Sequence, residues 1–460
     1  MSAPPTAAEG FARFACTLAP ADVPAAVSEA VSLHLLDVLG CGLAAAGSGA
    51  APYARALASD AEPGAATALG VAQPLAPATA ALVNGITCHA LDFDDTHPGS
   101  IAHVSAVIAP AALAAAEAVG ADGAQLALAL LVGNEVTCRI GRVAGDAFHL
   151  RGFHPTAICG VFGATAAVAR LHRLDERALV HALGIAGSMA GGLMAYLSDG
   201  SETKRVHPGW MAHAAHVAVA LARHGASGPA AVLEDRSGVY AAFIGRADVD
   251  PRELTADLWT VWETLGIAFK PYPACHFVHA PLDALVQLAA EHGFGADDVE
   301  RIVVCSPQAG IELVADPIER KRRPATPYES KFSAPFALAA WLRTGRVDVT
   351  TFGEPLLSDP AVLELAARVD WERRDYETFP ASLPGGVRVA LRDGTQLERH
   401  LPHQRGGAQN PMAAADVRAK FRANAALALA EPRLAELERA VLELASLPDM
   451  GAFRVLAGGA

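Results

Sequence analysis

The segment Cys159-Gly-Val-Phe-Gly-Ala-Thr-Ala-Ala167 decides the fold of this chain. Its glycines and alanines lie inside an apolar helical pattern, which is typical of helices that pack with little room between their backbones. From about Ala25 to Arg223 the chain continues in the same way, with Ala, Leu and Val at three-to-four spacing. Strand signals are nearly absent in this range. The sequence therefore predicts a large, all-helical domain.

The pattern changes near Phe269, where prolines cluster and strand signals begin. Residues 300–306 read as a strand, and residues 386–398 read as a hairpin whose turn is Asp393-Gly394. After Arg405 the helical pattern resumes, from Ala414 onward. We therefore predict a mainly α protein, with a helical domain at 1–268 plus 405–460 and a smaller α+β domain inserted at 269–404.

Composition excludes several classes of function. The 460 residues hold 36 Lys and Arg against 49 Asp and Glu, a net charge of −13, which disfavours binding to nucleic acid or to an anionic membrane. No signal peptide and no charge-free apolar run of spanning length is evident. The seven cysteines are scattered singly, without a CxxC pair. We expect a cytoplasmic protein with reduced thiols, no membrane partner and no nucleic-acid partner.

The segment His89-Ala-Leu-Asp-Phe-Asp-Asp-Thr-His97, with His103 after it, is the most chemically dense part of the chain. Burying Asp and His is unfavourable unless each finds a partner or a ligand, so such a cluster is a satisfied polar network or a site. For Asp94 and Asp95, capping of a helix start or solvation is as plausible as function. A helix start also suits an anionic substrate, so these interpretations overlap.

A metal site is the weaker interpretation of this segment. An Asp-rich run that holds Mg²⁺ normally needs a second acidic motif on a facing helix, and none is evident. The histidines lack the HxxxH or HxH spacing typical of transition-metal sites. We expect no metal.

Three further segments carry polar side chains next to glycine or proline. Residues 151–156 place His154 before Pro155, at an apparent helix start. Residues 201–210 bring two cations and an imidazole together, and Lys and Arg side chains are donors for carboxylates. Residues 269–279 lie at the predicted domain junction, the kind of place where small ligands bind.

Taken in order, these segments resemble the MmgE/PrpD family, which includes 2-methylcitrate dehydratases, cis-aconitate decarboxylases and an iminodisuccinate epimerase. The resemblance spans nearly the whole chain. It rests on HALDFDDTH (89–97), GFHPTAICGVFGATAAVARL (152–171), SETKRVHPGWMAH (201–213), FKPYPACHFVH (269–279) and KFSAPFALAAWL (331–342). It implies a helical domain that carries a smaller α+β lid, a homodimer, and no need for a metal or an organic cofactor.

The resemblance also implies roles for individual residues. Asp92 and Thr96 match positions in the decarboxylase site, and His103 and His154 match its candidate acid–base histidines. Lys204 matches its substrate-binding lysine. Recurrent positions of the family are matched by His207, Lys270 and His279, which we expect to contact the substrate. Arg205 is expected to help Lys204 hold carboxylates. We expect Asp92 to orient one imidazole, and Thr96 to hydrogen-bond the substrate or Asp92.

We therefore predict a lyase that acts at a carbon alpha to a carboxylate of a small anionic di- or tricarboxylic acid. Dehydration, of the 2-methylcitrate dehydratase type, ranks first, since residues 311–316 offer no counterpart of a tyrosine that the decarboxylase uses. The chain also has His103-Val-Ser105 where the family often has His-Pro-Ser. An isomerase ranks second and decarboxylation third. A polycarboxylate-binding protein without activity is the non-enzymatic alternative, disfavoured because binding alone would not need two histidines.

Overall fold

The computed structural model describes residues 4–457. The chain divides into two compact units. The first comprises Met1–Ala90, Asp94–Ile267 and Ala413–Ala460, and the second comprises Leu91–Phe93 and Ala268–Met412. The prediction of a mainly α protein is confirmed. That the second unit acts as a lid stays a prediction.

Helices build most of the first unit, because apolar and small residues recur there at helical spacing. Up to residue 267 they are α1 (Ala7–Thr17), α2 (Ala25–Ser48), α3 (Pro52–Ser59), α4 (Pro77–His89), α5 (Ser105–Val119), α6 (Gly123–Ala144), α7 (Ala147–Leu150), α8 (Pro155–Leu171), α9 (Glu176–Gly187), α10 (Tyr196–Asp199), α11 (Thr203–Arg223), α12 (Val239–Ile244) and α13 (Pro251–Thr255).

The prediction of an all-helical first domain is wrong at one place. Strands β1 (Pro63–Ala68) and β2 (Val71–Leu75) form an antiparallel pair that turns at Gly70, whose φ is +70°. Their alanines have little intrinsic strand preference, so tertiary contacts decide the conformation. The Asn84 side chain supplies two of these contacts, since it accepts from the backbone N–H of Leu69 (2.8 Å) and donates to the carbonyl of Thr67 (2.9 Å).

Helix α8 crosses the centre of the first unit, and nearly all of its residues are buried. It packs against α6 at a point where both helices carry glycine. A Cβ atom added at Gly163 would overlap the backbone oxygen of Gly133 and the hydroxyl of Thr137. The two backbones therefore touch directly, as the small residues of 159–167 predict.

Helix α2 is long and apolar enough to span a bilayer by length and composition. However, 78% of its most apolar 18-residue window is buried inside the protein. The core helix of a folded domain passes the same test, so length and composition alone do not identify a membrane span.

The second unit combines a sheet with helices. Its helices are α14 (His279–His292), α15 (Gln308–Val314), α16 (Ile318–Arg322), α17 (Pro327–Ser330), α18 (Ala334–Thr344), α19 (Glu354–Leu357) and α20 (Pro360–Ala367), and its strands are β3 (Val299–Ser306), β4 (Val369–Arg373), β5 (Gly385–Leu391) and β6 (Gln396–Leu401).

The sheet has the order β4-β3-β5-β6, with β3 and β4 parallel and the other pairs antiparallel. The predicted hairpin is confirmed as β5 and β6, and Gly394 in its turn has a φ of +92°. Apolar residues of the sheet, α14 and α18, such as Val387, Leu285 and Phe336, share one core. The chain then returns to the first unit through α21 (Ala414–Ala425) and α22 (Glu431–Leu442), which confirms the predicted resumption of helix.

Replacing Gly163 by alanine should destabilise the first unit. The added methyl group has no space between α6 and α8, and such overpacking typically costs about 1–3 kcal/mol. Urea unfolding would measure the change in the free energy of unfolding. Gly191→Ala is the control, because a Cβ atom there meets no heavy atom within 4 Å. Equal stability of the two variants would contradict the close contact.

Candidate active site

Asp95 is the polar anchor of the loop between α4 and α5. Its carboxylate is fully buried, lies 2.9 Å from Nδ1 of His34, and accepts from the backbone N–H (3.1 Å) and hydroxyl (2.5 Å) of Ser105. Burial alone would raise the pKa of Asp95, but the hydrogen bonds from His34 and Ser105 lower it below its usual value. The residue is therefore a buried anion that joins α2 to the start of α5. The capping interpretation is confirmed for Asp95.

Asp94 contacts His89, a histidine for which the sequence predicts no role. Its side chain is fully buried, so the solvation interpretation is wrong, and its Oδ2 lies 2.8 Å from Nδ1 of His89. Because a carboxylate only accepts, Nδ1 of His89 carries the proton. Nε2 of His89 is buried and has no hydrogen-bond partner among residues 4–457. The same Asp94 oxygen lies 3.5 Å from Nδ1 of His103.

His103 is oriented by the same loop. Its Nδ1 lies 3.0 Å from the carbonyl oxygen of Asp95 and 3.2 Å from the hydroxyl of Thr96. The carbonyl can only accept, so Nδ1 of His103 is the donor. Its backbone N–H donates to the hydroxyl of Thr156 in the first turn of α8 (2.9 Å). Thr96 and His103 are thus neighbours. The hydrogen bond that we expect between Thr96 and the substrate or Asp92 stays a prediction.

His154 precedes Pro155 at the start of α8, where the fixed φ of proline suits the first helical position. Its backbone N–H donates to the carbonyl of Gly192 (2.9 Å). Its Nδ1 lies 3.0 Å from Nδ1 of His207 in α11, so one of the two rings donates to the other. The structure therefore brings His154 and His207 together, as a hydrogen-bonded pair between two helices.

His207 is a neutral ring at pH 7. Burial, together with the nearby charges of His89 and Lys204, lowers the pKa of His207 to about 4. Lys204 itself is buried in the first turn of α11, with 6% of its surface exposed. The starts of α8 and α11 both direct backbone N–H groups and the positive end of a helix dipole toward this region. A lysine in the first turn of such a helix favours the binding of a carboxylate.

Three imidazoles meet at one point in the first unit. The ring centroids of His89 and His103 lie 4.7 Å apart, and those of His154 lie 5.9 Å from His89 and 6.0 Å from His103. His89 lies within the HALDFDDTH motif. Its contacts with Asp94 and His103 depend on how the loop after α4 bends, and the periodicity of helices or strands does not predict that bend. The predicted acid–base pair is thus joined by a third ring.

Two other polar residues of these segments serve the fold. Arg205 forms an ion pair with Glu202 and donates to the carbonyl of Ala50 (3.2 Å). Its role in substrate binding therefore stays a prediction. His97 contacts the hydroxyl of Ser100 at 2.9 Å and the carboxylate of Glu263 at 3.2 Å.

Asp92 and Lys270 form a buried ion pair in the second unit. Nζ of Lys270 donates to the carboxylate (2.9 Å) and to the carbonyl (3.0 Å) of Asp92, and both side chains are at most 2% exposed. Asp92 has a φ of +52°, a left-handed conformation that aspartate tolerates better than most residues. That Asp92 orients an imidazole stays a prediction. In the first unit, Asp94 orients His89 and the carbonyl of Asp95 orients His103.

His279, at the start of α14 in the second unit, is completely buried. Its Nε2 lies 3.1 Å from the carbonyl oxygen of Ala274 and therefore donates. Burial, with smaller contributions from the positive charges of His276 and Lys270, lowers the pKa of His279 well below its usual value. The ring is neutral at pH 7, and its predicted contact with substrate stays a prediction.

Comparison with known proteins finds relatives over most of the chain. Residues 9–252 match the MmgE/PrpD N-terminal domain, and residues 272–444 match the MmgE/PrpD C-terminal domain. The cis-aconitate decarboxylases of mouse and human are each 31% identical to the chain, over 82% and 84% of its length and 77% and 80% of theirs. The cis-aconitate decarboxylase of Aspergillus terreus is 28% identical, over 95% of this chain and 93% of its own.

The chain is an enzyme of the lyase class that acts on a carboxylate. It belongs to the MmgE/PrpD family, as its five motifs predict.

Removing the charge of Lys270 should destabilise the second unit strongly. Lys270→Met removes the ammonium group that compensates the buried Asp92 carboxylate, and breaking such a pair costs about 3–5 kcal/mol. The double variant Asp92→Asn/Lys270→Met should lose less, because the buried negative charge is removed together with the positive one. A double-mutant cycle of unfolding free energies measures the difference. Equal losses in the single and double variants would show that the pair is not coupled.

Proposed function

We propose that this enzyme decarboxylates a tricarboxylic acid of the cis-aconitate type. The observation that carries the proposal is the meeting of His103 and His154 in a chain 31% identical to mammalian cis-aconitate decarboxylases. Lys204 acts on the same group of rings, since its charge helps to lower the pKa of His207, the partner of His154. From the sequence alone, dehydration ranks first and decarboxylation third. The comparisons favour the third alternative, so we revise that order.

Lys204 is the residue that we expect to hold the substrate. A tricarboxylate brings several negative charges into a protein whose net charge is −13, so its site needs a local positive field. Lys204 and the starts of α8 and α11 supply that field. The same charges stabilise the electron density that accumulates when a bond to a carboxylate carbon breaks.

His103 and His154 supply the proton transfers. In decarboxylation the bond to the departing carboxylate breaks, its electron pair remains on the substrate, and one proton must form a new C–H bond. An imidazolium is a suitable donor near neutral pH, and solvent returns the proton afterwards. His103 is held for this role by the Asp95 carbonyl, and His154 is held by His207.

Dehydration is the second candidate, and a specific observation favours it. The segment from Ile311 to Asp316 contains no tyrosine, whereas the resemblance implies one in a decarboxylase. Elimination of water needs one group to take a proton and another to protonate the leaving hydroxyl, and two imidazoles satisfy both needs. Epimerase activity, a homodimer and a cytoplasmic location also stay predictions.

The first test is proton NMR of the purified enzyme in D₂O with cis-aconitate, 2-methylcitrate, citrate and iminodisuccinate. Loss of one carboxylate from cis-aconitate is the expected result. His103→Asn and His154→Asn should each lower the rate by about 10²–10⁴, because each removes a proton-transfer group.

The control for these variants is His213→Gln, a half-buried histidine of α11 whose ring contacts the Ala78 carbonyl. It should retain the wild-type rate. Vinyl protons formed from a hydroxy acid would establish dehydration instead. Deuterium entering an alpha position without elimination would establish an epimerase.

Lys204→Gln should weaken substrate binding more than it slows the bound substrate. Loss of a buried ammonium that holds a carboxylate typically costs about 2–3 kcal/mol, so KM should rise at least ten-fold. Steady-state kinetics with the substrate identified by NMR would separate KM from kcat. An unchanged KM would place the substrate carboxylates elsewhere.

A further inference from the structure

We propose that His89, His103 and His154 bind a Zn²⁺ ion, which inhibits the enzyme. These residues, termed here the three-histidine cluster, are all buried in the first unit. From the sequence we expect no metal, because the segment from His89 to His103 lacks the histidine spacing typical of metal sites. That argument fails here, since the rings come from three places: the end of α4, the following loop and the start of α8.

The distances suit a small ion. One ring nitrogen from each histidine lies within 4.8 Å of the other two, so a central point exists no more than about 2.8 Å from all three. Zinc–imidazole bonds are about 2.0–2.1 Å long, so the rings need to close by less than about 1 Å. Three imidazoles and one water complete the four-coordinate arrangement that Zn²⁺ prefers.

Each ring is also held in the way that a metal ligand requires. Metal-binding imidazoles almost always use their second nitrogen for a hydrogen bond that fixes the ring. Nδ1 of His89 donates to Asp94 (2.8 Å) and Nδ1 of His103 donates to the Asp95 carbonyl (3.0 Å). In the neutral forms of these two rings, the lone pair is therefore on Nε2. Nδ1 of His154 is engaged by His207 (3.0 Å).

An independent observation at His89 points to a ligand. Its Nε2 atom is buried and has no hydrogen-bond partner in the part of the chain that the structure describes, although Nδ1 is engaged. Buried polar atoms are nearly always satisfied, so an unsatisfied one marks a place where water, a substrate atom or an ion binds. The Asp94 carboxylate behind this ring offsets part of the positive charge that an ion would bring.

The cysteines compete poorly for the same ion. Burial raises the pKa of the Cys41, Cys88, Cys138 and Cys159 thiols, which keeps them protonated at pH 7, and only the thiolate is a good ligand. Imidazole nitrogens suit Zn²⁺, Co²⁺ and Ni²⁺ well. The three-histidine cluster is thus the preferred zinc site among these groups.

Inhibition follows from the identity of the ligands, and this part of the inference rests on the proposed function. His103 and His154 are the proposed proton-transfer residues, and a metal ion bound to their lone pairs prevents them from carrying protons. Zinc binding itself needs no catalytic activity. The two statements are therefore tested separately.

Metal binding is measured on the purified full chain without substrate. The protein is first stripped of metal with EDTA. It is then dialysed overnight against CoCl₂ or ZnCl₂, so that the ion has time to reach the buried rings. We expect one ion per chain, and the visible absorption of four-coordinate Co²⁺. Less than one ion per chain at a ten-fold excess of free metal over protein, without that absorption, would overturn the proposal.

Variants assign the ion to the cluster. His89→Asn should weaken zinc binding at least ten-fold, and Asp94→Asn should weaken it about ten-fold, the usual effect of removing a partner of a metal ligand. His213→Gln is the matched control and should bind as the wild type does. Circular dichroism confirms that each variant is folded. Wild-type affinity in the folded His89→Asn variant would overturn the assignment.

The activity measurement uses the wild type and the substrate identified by NMR. We expect Zn²⁺ to abolish turnover and EDTA to restore it, at a free zinc concentration set by a buffer because tricarboxylates themselves bind zinc. Full activity of an enzyme that carries one Zn²⁺ would overturn the inhibitory role. Absence of activity toward every acid tested would contradict the proposed function and leave the binding result standing.

Discussion

The burial of two adjacent carboxylates is the constraint on which the site depends. Asp94 and Asp95 have no exposed surface, and a buried charge is stable only when hydrogen bonds or opposite charges compensate it. Asp95 finds its partners in α2 and at the start of α5, and Asp94 finds its partner at the end of α4. Compensation of these two charges therefore gives the loop one shape, and that shape places His103.

The second determinant is the way in which helices begin. His154 and Lys204 stand at or next to the first residue of α8 and α11, where backbone N–H groups have no partner within the helix. Helix starts thus provide positive potential without adding side-chain charge, which suits an acidic protein that binds an anion. The neutral His207 completes this arrangement, because it orients His154 while adding no charge.

The sequence predicted those features that local patterns encode. The helical part, the hairpin at Asp393-Gly394 and the helices after Ala414 follow from residue periodicity and turn chemistry. The β1–β2 pair was missed because the Asn84 side chain, and not strand preference, holds it.

The candidate site was predicted in part, for a similar reason. Motifs placed His103, His154 and Lys204 in one family pattern, but the pairing of His89 with Asp94 depends on how the loop bends. Period and spacing describe neighbours along one element, so they do not predict contacts between elements.

The glycine contact between α6 and α8 limits how this enzyme can change during evolution. Gly133 and Gly163 leave no space for an added methyl group, so a larger residue at either position would force α8 or its neighbours to shift. His154 lies directly before the first residue of this helix, so the contact between α6 and α8 also determines where His154 lies. New specificities are therefore expected to arise through substitutions in the connecting loops, while the helix that carries His154 acts as a fixed reference.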